Sequence, residues 1–216
     1  MTETAKEHTG KALRIMLAVC FMLSGVLKAV NVYSFAHEIR LYIEAYMDTY
    51  FMRWTMVIAV AVCAIEMLAA LLALRREYAR AAAAGYFLML TFFVCLTGLN
   101  LFFPSVMGSI ESCGCFGELI HLTPAASFVK SAVLWVTALA LVAACYGRKK
   151  PWNITRLLRD RYLYVCAAVS IVLPLYSLWF FNEMSHKAYI AGFVVLCTVI
   201  ALVVVRTLRQ TSRRNA

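Results

Sequence analysis

Charge is what this chain has least of. Asp, Glu, Lys and Arg make up 15% of its 216 residues, and only eleven are acidic. A soluble domain carries about a quarter, so a water-facing globule is excluded. No cleavable signal peptide is expected either. The first apolar run, about 12–33, is longer than a typical signal core, and no A-x-A site follows it. That run reads as a retained first helix that also directs insertion. No internal repeat and no low-complexity tract appear, beyond the short alanine run 81–84.

What is present is apolar. Hydrophobic residues reach 63% and the mean hydropathy is +0.78. Several runs reach about 20 residues, the length a helix needs to cross a hydrocarbon core of roughly 30 Å. Helices at about 12–33, 54–74, 84–103, 125–146, 162–181 and 188–206 are predicted, giving an all-α integral membrane protein of six spans. The segment 34–53 carries Glu38, Glu44 and Asp48 and is expected to form a short surface helix.

The formal charge of +10 raises the question of nucleic acid. Its distribution answers otherwise. Lys6, Lys11 and Arg14 lie in or near the N-terminal tail, Arg75, Arg76 and Arg80 after the second span, six more within 147–161, and Arg206, Arg209, Arg213 and Arg214 at the C-terminus. The alternate connections hold only Arg40, Arg53 and Lys187. The positive-inside rule then places both termini in the cytoplasm, and a bacterial-type inner (plasma) membrane is the expected location. The basic balance is a topology signal, with attraction to anionic lipid a by-product, and no nucleic-acid partner is expected.

This topology exports the loop ESCGCFGE, residues 111–118. Cys113 and Cys115 then face an oxidising compartment. Their spacing permits a disulfide, and Gly114 eases the turn. So small a ring is expected to be strained and labile, whereas a staple normally closes a longer loop. The pair therefore reads as a redox couple. Two alternatives stay open. The turn could be structural in an assembly factor, or the thiolates with His121 and Met107 could take a soft ion such as Cu(I) or Zn(II), as in a transporter. Against the metal, no second Cys or His cluster stands in the other exported segments, and no metal ligand set is assigned. Cys20, Cys63, Cys95, Cys145, Cys166 and Cys197 fall inside the spans and read as small apolar fillers. With one exported pair, electrons must pass between it and a partner directly.

Three charges lie well inside the spans, away from their ends: Lys28, Lys130 and Glu66. Such charges are expensive and usually functional. At about 1.5 Å per residue, both lysines sit roughly 8 Å to the outer side of the midplane, with Glu66 near the middle. Ser24, Gly25 and Asn31 flank Lys28 at helical spacing, and Ser127 and Ser131 flank Lys130. Snorkelling of the lysines to the headgroups is one reading. A buried polar pocket beneath the cysteine loop is the other. There a lysine would favour a thiolate or hydrogen-bond a quinone carbonyl, and Glu66 would balance charge or relay a proton.

Taken together, FMLSGVLKAVN, SFAHEI, AIEMLAALLAL, ESCGCFGE and LTPAASFVKSAVL resemble the methylamine-utilisation MauE/DoxX-like membrane proteins. The CGCFG element, with Phe116 and Gly117, and the TP…K of the fourth span are the most specific parts. The resemblance covers about 12–146 and implies a four-helix membrane core over 1–146; a basic linker at 147–161 and two additional helices with a basic tail over 162–216 extend beyond it. It implies thiol–disulfide chemistry with an exported thioredoxin-like partner, of the kind used to mature methylamine dehydrogenase, with a quinone as the cofactor suggested by the DoxX-like side. Cys113, Cys115, Lys28, Glu66 and Lys130 carry over.

Overall fold

The computed structural model describes residues 3–103, 123–146 and 158–214. Among these residues it holds seven α-helices: α1 Glu3–Val30, α2 Val32–Tyr46, α3 Thr55–Ala73, α4 Ala79–Phe102, α5 Pro124–Tyr146, α6 Arg161–Phe180 and α7 His186–Arg214. Short 3₁₀ turns, Thr49–Trp54 and Arg76–Tyr78, lead into α3 and α4. Six stretches of the described residues are long and apolar enough to cross a membrane: His8–Val30, Thr49–Ala73, Arg76–Phe102, Pro124–Tyr146, Arg161–Phe180 and His186–Gln210. All six predicted spans are therefore present.

The helices α1, α3, α4 and α5 pack around one core. Leu17 and Phe21 of α1 meet Ala69, Ala70 and Ala73 of α3, Ala82, Ala83 and Tyr86 of α4, and Ala138 and Leu141 of α5. The alanine-rich faces explain the close packing. Between helices in lipid there is no hydrophobic drive, so small residues that let backbones approach supply the contact. Tyr86 donates its hydroxyl to Ala69 O at 3.1 Å, and its ring lies 4.5 Å from that of Phe21.

The first helix stops earlier than predicted. Asn31 ends it by acting as the N-cap of α2, where its side chain accepts from Ser34 N at 3.1 Å. Asparagine competes for nearby backbone N–H groups, which favours caps over helix interiors. The segment predicted as a surface helix is thus a capped helix with a buried face, Val32, Phe35, Ala36, Tyr42 and Ile43. Part of that face packs on Ala59 and Cys63 of α3.

The last two helices complete this break. Tyr189 of α7 donates to Val30 O at 2.7 Å, Val32 N donates to Ser177 Oγ of α6 at 3.3 Å, and Tyr33 donates to Leu178 O at 2.8 Å. Backbone groups left bare in hydrocarbon cost several kcal/mol each, so α6 and α7 satisfy what the α1–α2 break exposes. At the other end Arg75 pairs with Asp160 and Glu77. Tyr78 donates to Asp160 Oδ2 at 3.1 Å and Tyr162 to Leu71 O at 2.6 Å. Helix α6 is therefore fastened to α2 at one end and to α3 at the other.

Candidate functional site

Gly25 sets the spacing of α1 and α3. A Cβ there would lie 2.7 Å from Met67 Cγ and 3.4 Å from both Cys63 O and Glu66 Cβ. The backbones close on each other because nothing stands between them. One turn further, Lys28 reaches across and its Nζ donates to Glu66 Oε1 at 2.5 Å. The side chains are 0% and 2% exposed. This pair removes the snorkelling reading for Lys28: the ammonium points inward.

Two rings complete the lysine's surroundings. Its Nζ lies 4.9 Å from the centre of Phe35 on α2 and 5.1 Å from that of Phe93 on α4. Desolvated contacts of a cation with ring faces contribute about 2 kcal/mol. The ion pair is thus held by four helices, although only α1 and α3 supply its charges.

Lys28 and Glu66 line a cavity of about 320 Å³ together with Lys130 and Ser131 of α5, Ser24 and Cys20 of α1, and apolar groups that include Phe21, Leu90, Phe93 and Leu134. The structure therefore brings Lys28, Glu66, Lys130 and Ser24 to one place. Lys130 Nζ is buried. Val133 on the rim is 60% exposed, so the cavity reaches the lipid-facing surface of the bundle.

Asn31 lies elsewhere, engaged as a helix cap. Ser127 is buried at 1%, its Oγ without a hydrogen bond, on the turn of α5 before Lys130. With Thr97 and Asn100 of α4, also buried, it extends polarity toward the 104–122 connection. There α4 and α5 are closely apposed: a Cβ on Gly98 would lie 3.3 Å from the Phe128 ring, and Phe102 and Phe128 meet edge to face at 5.4 Å. Cys113, Gly114, Cys115, Phe116 and Gly117, with Met107 and His121, lie outside the described residues. Among the described residues no three His, Cys, Asp or Glu side chains gather as a metal site.

The family model described as methylamine utilisation protein MauE matches residues 6–148. The chain belongs to the MauE family. It is a multi-pass membrane protein of a family linked to methylamine utilisation. No curated protein and no solved structure matches it. The MauE match spans α1 to α5 and ends two residues past Tyr146. It contains every residue of the cavity, while α6 and α7 lie beyond it.

Within the MauE region the sequence reading missed Phe35, Phe93, Thr97 and Asn100. Only Phe35 had a signal, since SFAHEI is one of the stretches that carries the resemblance. The close approach at Gly25 yields a direct check. Gly25→Val forces Met67 and Glu66 aside and is expected to cost about 1–3 kcal/mol, the range for overpacking a tight core. Gly85→Val is the comparison, because a Cβ there meets only Ala69 Cβ at 4.0 Å. Thermal unfolding in detergent followed by circular dichroism measures both. Equal losses would mean that Gly25 is not the spacer.

Proposed function

We propose that this MauE-family chain is an inner-membrane redox protein. In this reading Cys113 and Cys115, on the non-cytoplasmic side, exchange a disulfide with an exported thioredoxin-like partner. A lipid-soluble quinone serves as the other electron carrier, in a role of the kind used to mature methylamine dehydrogenase. The observation that supports this best is the cavity that gathers Lys28, Glu66 and Lys130 from three helices. Helix α4 ends at Phe102 and α5 begins at Pro124, so the connection bearing the cysteines leaves from the end of the bundle nearer Lys130. Lys130 lies six residues into α5, about 9 Å along its axis.

The chemistry assigns distinct work to each group. A thiolate attacks a sulfur of the partner's disulfide, or a partner thiolate attacks Cys113–Cys115, and the remaining thiol resolves the mixed disulfide. Two electrons and two protons move in all, and a quinone that takes them up becomes a quinol. Lys28 and Lys130 supply positive charge that favours a thiolate or a ligand oxygen. Glu66 balances that charge and can hold a proton in transit. The reaction runs in either direction under this scheme.

An equilibrium redox titration of Cys113–Cys115 in the purified protein, read by thiol alkylation and mass spectrometry, tests the reading. The pair is expected to titrate as one two-electron couple well above about −300 mV, where disulfides are labile enough for exchange. A pair still oxidised far below that potential is a staple, which favours an assembly factor. A pair that forms no disulfide overturns the redox reading and favours the assembly or soft-metal alternative, which metal stoichiometry then separates.

A further inference from the structure

One carboxylate oxygen of the cavity is buried and bare. Glu66 is 1% exposed, and its Oε1 is taken by Lys28 at 2.5 Å. Its Oε2 is equally buried and makes no hydrogen bond. Leaving a buried charged acceptor bare is costly, and the cavity bounded by Glu66 is where a donor can come from. The occupant that suits the site therefore carries a hydrogen-bond donor of its own. Lys130 lines the same cavity and offers N–H groups to an acceptor. Phe21, Leu90, Phe93 and Leu134 supply apolar walls.

These demands select a chemistry. A fatty-acid carboxylate or a lipid phosphodiester has acceptors for Lys130 but brings a like charge, and no donor, to Glu66. A quinone ring has two acceptor oxygens and no donor. A quinol has hydroxyls that donate and also accept, on an apolar ring. A cavity of roughly 150 Å³ takes benzene, so the space of about 320 Å³ here takes a substituted ring. The exposed rim at Val133 opens toward lipid, where such a molecule is dissolved.

We propose that the cavity between α1, α3, α4 and α5 is a quinol-selective site, in which Glu66 Oε2 accepts a hydrogen bond from a ring hydroxyl and Lys130 donates to a ring oxygen. This deepens the redox reading above and rests on it for the identity of the ligand. A site that binds the reduced form more tightly raises the potential of the bound couple, by about 30 mV for each tenfold preference. The selectivity therefore favours transfer from thiols to the ring, so that the protein acts as a disulfide generator.

The test uses Cys113→Ser/Cys115→Ser protein in detergent, so that the exported pair cannot exchange electrons with the probe. The probes are a 2-alkyl-1,4-hydroquinone, kept reduced, and its 1,4-dimethyl ether, which keeps the acceptors and loses both donors. Cys20 lines the cavity, and its alkylation by an apolar maleimide, read on its own peptide, reports occupancy. The hydroquinone is expected to protect Cys20 at about 10- to 100-fold lower concentration, the effect of one charge-assisted hydrogen bond. Lys130→Met is expected to weaken both probes about equally and leave the preference intact. Equal protection by the two probes, or protection by neither, overturns the proposal, the latter pointing to water or an acyl chain in the cavity. Either result leaves the cysteine titration to stand or fall alone. A clear hydroxyl preference beside an inert cysteine pair would support the site and remove its link to thiols.

Discussion

Replacing Glu66 by alanine is expected to cost the bundle about 3–5 kcal/mol, the penalty for removing one partner of a buried ion pair. The magnitude follows from where the survivor is left. Lys28 has a side chain that is 0% exposed, packed between the rings of Phe35 and Phe93. After the substitution its ammonium faces a cavity lined mainly by apolar groups, with Ser24, Ser131 and a second lysine nearby. Lys28→Met is expected to be similarly costly, since it strands the carboxylate. The double variant Lys28→Met/Glu66→Leu is expected to recover most of the loss, because a buried pair replaced by apolar residues of similar volume is often neutral or stabilising. The exposed pair Arg40–Glu44, at 2.8 Å on α2, is the control, and Glu44→Ala should cost less than about 1 kcal/mol. Thermal or denaturant unfolding in detergent micelles gives all four values. A Glu66→Ala loss no greater than that of Glu44→Ala would show that the pair contributes little to holding α1 against α3.

The two sides of this pair show what the sequence could and could not reveal. Each charge was visible by itself, because a lysine and a glutamate inside apolar runs stand out against lipid. Which of the two lysines pairs with Glu66 was not, because Lys28 and Glu66 are 38 residues apart. It depends on the helix contact that Gly25 permits, and a glycine in a membrane helix carries no label for its neighbour. The six spans were legible for the same reason as the charges: twenty apolar residues leave a chain few alternatives. The aromatic partners were hidden, since Phe35 and Phe93 look like any other ring in a greasy segment.

Asn31 misled in an instructive way. At i+3 from Lys28 it fits a polar stripe on a continuing helix, yet the same amide is a strong cap and it ends the helix instead. That choice exposes the carbonyl of Val30 and the N–H of Val32. Tyr189 and Ser177, far along the chain, answer them. Local pattern cannot show this, because the compensating groups sit in helices that lie outside the MauE match.

Cys113→Ser and Cys115→Ser are expected to abolish disulfide exchange, with a loss of at least about a thousandfold, the scale seen when a nucleophile is removed. Both changes should leave the unfolding midpoint of the bundle nearly unmoved. A disulfide stabilises by restricting the unfolded chain, and the gain grows with the loop it closes. A ring with one residue between its cysteines restricts the unfolded chain far less than a long loop does, and its strain offsets part of that gain. The two single variants should also differ from each other. In the one that keeps the attacking thiol, the mixed disulfide with the partner cannot be resolved and should accumulate, visible as a heavier band that reductant removes. In the other, no adduct forms. Activity measured as oxidation of a reduced thioredoxin-like substrate in membranes, beside unfolding of the same preparations, separates the readings. Lost activity with an unchanged midpoint supports the redox couple. Full activity in both single variants would mean that the cysteines carry no electrons, and the charged cavity would then need another purpose.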